Sequence, residues 1–372
     1  MARLNEARLA GRVASLDALR GFDMFWIIGG DAICRALPAV KDTPLTRLLA
    51  SQVEHYPWAG FTFYDVIFPL FFLIIGAVMP FSLLRRAEKG EPKKKLYVHV
   101  IKRSLTLILL GLIAGGLLKL DFANMRWMGV LQRIGLCYFL VSMLVLNTKK
   151  RTQGVVFAAV LLLYWAALAL IPVPGFGAGK MTPEGSLHSF IDQKVLPGRF
   201  SAQFYGNGDS MGVLSTLPAA CSILLGVFAG YWLKSGRSAV RKTRGLIAAG
   251  LACLVIGYIW SLAFPIIKHI WTSTYMLWAG GWCLLLMAAF YWLIDIKGRS
   301  KWAFFFVVIG MNAILIYFGQ QVVDFYKIAG FFLSGVASHA AAFGQLVIPI
   351  GALAAKWLTL RFLYGQKVFV KI

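Results

Sequence analysis

The segment FTFYDVIFPLFFLIIGAVMPFSLL, residues 61–84, decides how this chain folds. It holds one charged side chain, Asp65, near its start, and is otherwise almost wholly apolar. At 1.5 Å per residue, about twenty residues cross the ~30 Å hydrocarbon core of a bilayer as one helix. Nine further blocks of similar length flank it, at about 16–37, 98–119, 127–146, 154–172, 213–233, 245–264, 271–294, 302–323 and 342–361. They account for a chain of 372 residues that is 59% hydrophobic, with mean hydropathy +0.72. A soluble domain has an apolar fraction nearer one half. The predicted fold is all-α: a polytopic membrane protein of about ten transmembrane helices.

A net charge of +23 raises the question of nucleic acid, and the placement of the charge answers it. Basic residues form no stripe. They gather in alternate stretches between apolar blocks. Of the 38 Lys and Arg, 26 fall on the side of the N-terminus and 10 on the other, with Arg133 and Lys356 inside helices. That asymmetry is the positive-inside pattern. It predicts cytoplasmic N- and C-termini in a multi-pass inner membrane protein, with the lipid bilayer as a partner and no nucleic acid.

The expected organisation is a cytoplasmic segment, 1–15, and a single transmembrane domain, 16–372. No A-x-A-like cleavage site follows the first apolar block, so that block reads as an uncleaved signal anchor. A long outer loop at about 173–212, rich in Gly and Pro and carrying Asp192 and Asp209, is a candidate lid. Gly111-x-x-x-Gly115 and Gly226-x-x-x-Gly230 permit close helix packing and leave a homodimer possible. Cys34, Cys137, Cys221, Cys253 and Cys283 are widely spaced with no CxxC or Cys/His cluster, so neither a metal nor a disulfide framework is expected.

Ionisable groups at membrane depth cost several kcal/mol unless paired or wet, so they carry the functional information. In the first helix Asp17 and Arg20, spaced i,i+3, can pair at the inner edge. Asp31 lies about four turns further on, at a depth comparable to Asp65. Beside these carboxylates falls His55, flanked by Glu54, Tyr56 and Trp58 and ten residues before Asp65. A neutral imidazole is the commonest general base near pH 7, and His55 is the expected one. Arg126 and Arg133, seven apart, are expected on one face of the fourth helix. Either they pair with the outer carboxylates or they hold a phosphate or carboxylate of a ligand. Asn312 and Gln320 need hydrogen bonds in hydrocarbon. His269 could contact a polar ligand. His188 sits in the long loop with no evident partner.

Taken in order, SLDALRGF (15–22), His55-x-x-Trp58-x-Gly60, Asp65-Val-Ile-Phe-Pro69 and RWMGVLQR (126–133) resemble the heparan-α-glucosaminide N-acetyltransferase family. IPVPG (171–175), DSMGVLST (209–216), WTSTY (271–275), DIKG (295–298) and GMN (310–312) continue the resemblance. It implies transfer of acetyl from cytoplasmic acetyl-CoA, as co-substrate and without a metal, to a glucosamine amine across the membrane. The family's functional histidine falls on His55. An asparagine of its first helix falls on Asp31, a departure in this sequence. The expected catalytic set is His55 with Asp65 or Asp31 fixing its tautomer. Arg20, Trp58, Arg126, Gln132, Arg133, Asp209, His269 and Asn312 are the candidates for binding the amino-sugar acceptor or CoA. Two rivals remain open at this stage: an amino-sugar transporter, and an O-acyltransferase acting on envelope glycans.

Overall fold

A computed structural model describes residues 13–370, so most of the expected cytoplasmic segment 1–15 lies outside the described residues. The described chain is helical, with isolated β-bridges and no strand. It opens with α1 (Ala14–Phe25), a π-helical turn at Trp26–Gly30, α2 (Asp31–Val40) and α3 (Pro44–Gln52). A 3-10 turn at Phe63–Val66 leads into α4 (Ile67–Val78) and α5 (Leu83–Glu88), which together form one span, Phe63–Glu88. Next come α6 (Lys93–Ala114), α7 (Val130–Asn147), α8 (Lys150–Leu170) and the short α9 (Leu187–Val195). The remainder is α10 (Thr216–Lys234), α11 (Ala239–Ser261), α12 (Ser273–Phe290), α13 (Ala303–Met311), α14 (Ala313–Val322), α15 (Phe325–His339) and α16 (Gly344–Gly365).

Eight of the ten apolar blocks are helices long and apolar enough to cross a membrane, among the described residues. A ninth, 302–323, is α13 and α14 joined at a bend of 69°. The first block, 16–37, is interrupted instead of continuous. Its π turn contains Gly29 at φ 149°, a conformation that strains any residue with a Cβ. The protein is an all-α, multi-pass membrane protein.

The chain divides into two compact units. One comprises the residues up to Tyr56, Thr62–Ile67, and Leu286 onward; the other comprises Pro57–Phe61 and Phe68–Leu285. Hydropathy alone marks no such boundary.

In the first unit α1 lies directly against α13. A Cβ at Gly21 would fall on the Phe306 carbonyl, and one at Gly310 on the Asp17 carbonyl. Arg20 closes this contact, donating to the Gly310 carbonyl at 2.6 Å and to Asp17 at 2.7 Å. The π turn includes Ile28, whose carbonyl accepts from outside its own helix. Lys356 of α16 donates to it at 2.7 Å and to Gln320 at 3.0 Å, so a buried lysine caps the break. At the α13–α14 bend, the Asn312 side chain donates to the Val368 carbonyl and accepts from the Val370 N–H. Its hydrogen-bonding need is met by the C-terminal backbone.

The second unit is built on α10, most of which is buried. Gly226 and Gly230 face the Leu73 and Ala77 carbonyls, where a side chain could not fit. Gly111 and Gly115 likewise face Gln132 and the Arg126 carbonyl. Both GxxxG faces are therefore occupied within this unit. The expected lid is a packed cap: Val173, Leu187 and Phe204 join Tyr164, Leu168, Phe264, Ile267 and Ile270 in an apolar cluster.

Candidate active site

In the first unit a short local sequence fixes the central pair. Thr62-x-x-Asp65 is a capping box, in which Asp65 reaches back and its Oδ2 accepts the Thr62 N–H at 3.0 Å. The Thr62 hydroxyl in turn donates to the Glu54 carbonyl at 2.6 Å. Asp65 has no exposed surface, and its other oxygen lies 3.0 Å from His55 Nδ1. His55 keeps 28% of its side chain accessible. A buried carboxylate held on two sides and facing one imidazole nitrogen selects the tautomer with a proton on Nδ1. Nε2 is then the basic nitrogen.

Tyr64, between Asp65 and the cap, stacks obliquely on His55 with ring centroids 4.9 Å apart. Its hydroxyl donates to Asp31 at 3.3 Å. Asp31 is paired at 2.6 Å with Arg35, one turn along α2. Of the two carboxylates expected to hold the imidazole, Asp65 contacts it directly, while Asp31 is joined through Tyr64.

Arg20 and Asn312 lie in the first unit, where both are engaged by its own backbone, and the second unit holds the other candidates. Arg126 lies ahead of α7, which begins only at Val130, so it does not share a helical face with Arg133 as expected. Its carboxylate partner is Asp209, met by Nε and Nη2 at 2.7 and 2.6 Å in a two-pronged pair. Arg133 is fully buried. One of its nitrogens, Nη2, donates to the Gly212 carbonyl at 3.1 Å and to the Ser215 hydroxyl, and the guanidinium lies 5.3 Å over Trp271. Its Nε and Nη1, and Nε2 of the buried Gln132, have no hydrogen-bond partner. Trp58 stacks on His269 at 5.5 Å, with the planes 6° apart, and donates to the Met181 carbonyl.

The loop has an organiser that the sequence reading missed. His188, expected to lack a partner, lies 3.1 Å from Asp192 across one turn of α9 and 2.9 Å from the Asp209 carbonyl. Asp192 accepts the backbone N–H groups of Asp209 and Val213. Burial opposes the charge on Asp192. The His188 imidazole and those two amides outweigh it and hold the carboxyl below the usual aspartate range. The His-x-x-x-Asp spacing was the available signal. Among the described residues no group of three His, Cys, Asp or Glu gathers to hold a metal.

No family model matches the chain. It is 26% identical over 377 residues to the heparan-alpha-glucosaminide N-acetyltransferase of Homo sapiens. The match covers 86% of this chain and 56% of that protein. The protein of the same name from Mus musculus is 26% identical over 375 residues, with the same shares covered. The chain thus spans about half the length of the curated relatives it matches.

Proposed function

We propose that this chain is a membrane acetyltransferase that moves acetyl from acetyl-CoA to the amine of a glucosamine-type sugar. The reading rests on the similarity over most of the chain together with one observation. A partly exposed imidazole is held at Nδ1 by a buried, doubly anchored carboxylate.

In this reading the neutral amine attacks the thioester carbonyl while His55 Nε2 takes its proton. Asp65 stabilises the imidazolium that forms. The carbon–sulfur bond then breaks, the imidazolium returns the proton to the departing thiolate, and the products are the amide and CoA thiol. A two-step route, in which Nε2 first carries the acetyl group, uses the same pair. Arg133 and Gln132, with buried N–H groups left over, are assigned to ligand in the second unit, as are Arg126 and Asp209 at the loop. The termini and basic stretch 85–103 lie on the cytoplasmic side of an inner membrane, where cationic loops draw in the phosphates of CoA.

Purified protein incubated with labelled acetyl-CoA and glucosamine yields N-acetylated product, and His55→Ala lowers the rate by ~10²-fold or more. Undiminished turnover in the variant removes His55 from the chemistry. An ester product indicates O-acylation, and sugar uptake into proteoliposomes without acetyl-CoA indicates transport.

A further inference from the structure

Asp23 is the anomaly of the first unit. It is 0% exposed in the last turn of α1, and neither carboxyl oxygen has a hydrogen-bond partner. Other buried carboxylates are held: Asp65 by Thr62 and His55, Asp192 by His188 and two amides, Asp209 by Arg126. Three residues on, Trp26 also has a buried indole N–H without a partner. Positions i and i+3 lie on one helix face. The rings around Trp26 are Phe22, Phe25 and Phe63, at 6.1, 5.2 and 5.0 Å, and none of them can accept or donate a conventional hydrogen bond. Two orphaned polar groups on one apolar strip are a standing cost to the fold. The helix then breaks into the π turn at Trp26, and such turns recur at functional sites.

The two groups are complementary to one kind of ligand. An indole N–H only donates, and a carboxyl oxygen accepts. From one helix face they match a secondary amide, whose carbonyl would take the indole proton and whose N–H would meet the carboxyl. A free sugar fits poorly, since its further hydroxyls would stay unpaired among phenyl rings. In sequence the pair lies between the Asp17–Arg20 ion pair and Asp31, which opens α2 eight residues after Asp23. Asp31 in turn joins His55 through Tyr64. The acetyl donor carries its thioester on a slender arm with two secondary amides behind the sulfur. With the thioester at His55, an arm running back along α1 toward the Asp17 end would pass Asp23. We infer that Asp23 and Trp26 form an amide-recognition subsite for the pantetheine arm of the donor, an assignment that rests on the acetyltransferase reading.

The test compares acetyl-CoA with S-ethyl thioacetate, which carries no amide, on purified full-length protein. Trp26→Phe and Asp23→Leu are expected to raise KM for acetyl-CoA about tenfold at nearly constant kcat, because a ground-state hydrogen bond is lost. Their rates with S-ethyl thioacetate stay at the wild-type value. Asp23→Asn, which keeps an acceptor beside the indole, stays near wild type with both donors. Direct titration with CoA is expected to show the same tenfold weakening in Trp26→Phe. Asp23→Leu removes an orphaned carboxyl, so it melts no lower than wild type. An unchanged KM for acetyl-CoA in Trp26→Phe and Asp23→Leu, or an equal loss with both donors, overturns the subsite while leaving the acetyltransferase reading intact. A wild type that transfers acetyl from neither donor overturns both.

Discussion

Asp65 approaches His55 Nδ1 at 3.0 Å with an oxygen that has no exposed surface, while its other oxygen closes a capping box on Thr62. One carboxylate thus ends a loop, starts a helix and orients an imidazole. The three roles share one geometry, so changes to Asp65 read out both structure and chemistry.

Asp65→Asn keeps the shape and the acceptor for Thr62 but removes the charge facing the imidazolium. The expected result is a fall in kcat of ~10²-fold or more with little change in melting temperature. A kcat within twofold of wild type, measured by product formation, removes Asp65 from the mechanism.

Tyr64 links the Asp31–Arg35 pair to the histidine, so Tyr64→Phe and Asp31→Ala remove the two ends of one hydrogen bond. Their effects on acetyl transfer are expected to be non-additive, with a coupling of about 0.5–3 kcal/mol. Strict additivity in the double variant places Asp31 outside the influence of His55.

Lys356→Met leaves the Ile28 carbonyl without its donor inside the bundle. The expected cost is about 1–3 kcal/mol, seen as a lowered melting temperature in detergent. Gly29→Ala forces a Cβ into φ 149° and is expected to cost a similar amount. Unchanged melting in both variants contradicts the description of the first helix as interrupted and capped.

Asp192 supplies a pH dependence whose sign follows from its environment. Its carboxyl is held below the usual range in the folded protein, so the stabilisation is complete at neutral pH. It is lost as pH falls below the ordinary aspartate range and through the depressed folded value. Limited proteolysis within 173–212 is expected to accelerate as pH is lowered from 6 toward ~3. Asp192→Asn is expected to be cleaved faster at neutral pH, with a weaker acid response. Equal acid responses in the two proteins assign the effect to other groups.

Arg126→Lys retains the charge but cannot make the two-pronged contact with Asp209. Faster cleavage of the same loop at neutral pH is expected. An unaltered cleavage rate shows that the pair does not hold the loop.

The local features of the site were legible. His55 and Asp65 stood out because imidazole and carboxylate are rare in such a sequence; the Thr62-x-x-Asp65 box that joins them to the helix start was seen only in the structure. Asp17–Arg20 was readable from its i,i+3 spacing. Harder to read was the partner of Arg126, a carboxylate 83 residues away in a loop without periodicity. Asn312 gave no sign that its amide would be taken by Val368 and Val370.

By itself, the sequence determined that this chain lives in a bilayer as a set of helices, and nearly where each one runs. Hydrocarbon offers no hydrogen-bond partners, so backbone groups must pair within each segment and the apolar stretches reveal themselves by length. Tertiary structure decided the rest: the interruption at Gly29 and its capping by Lys356, the His188–Asp192 brace, and the isolation of Asp23. Those depend on how helices rotate about their axes and how closely they approach, and packing across elements distant in sequence sets both.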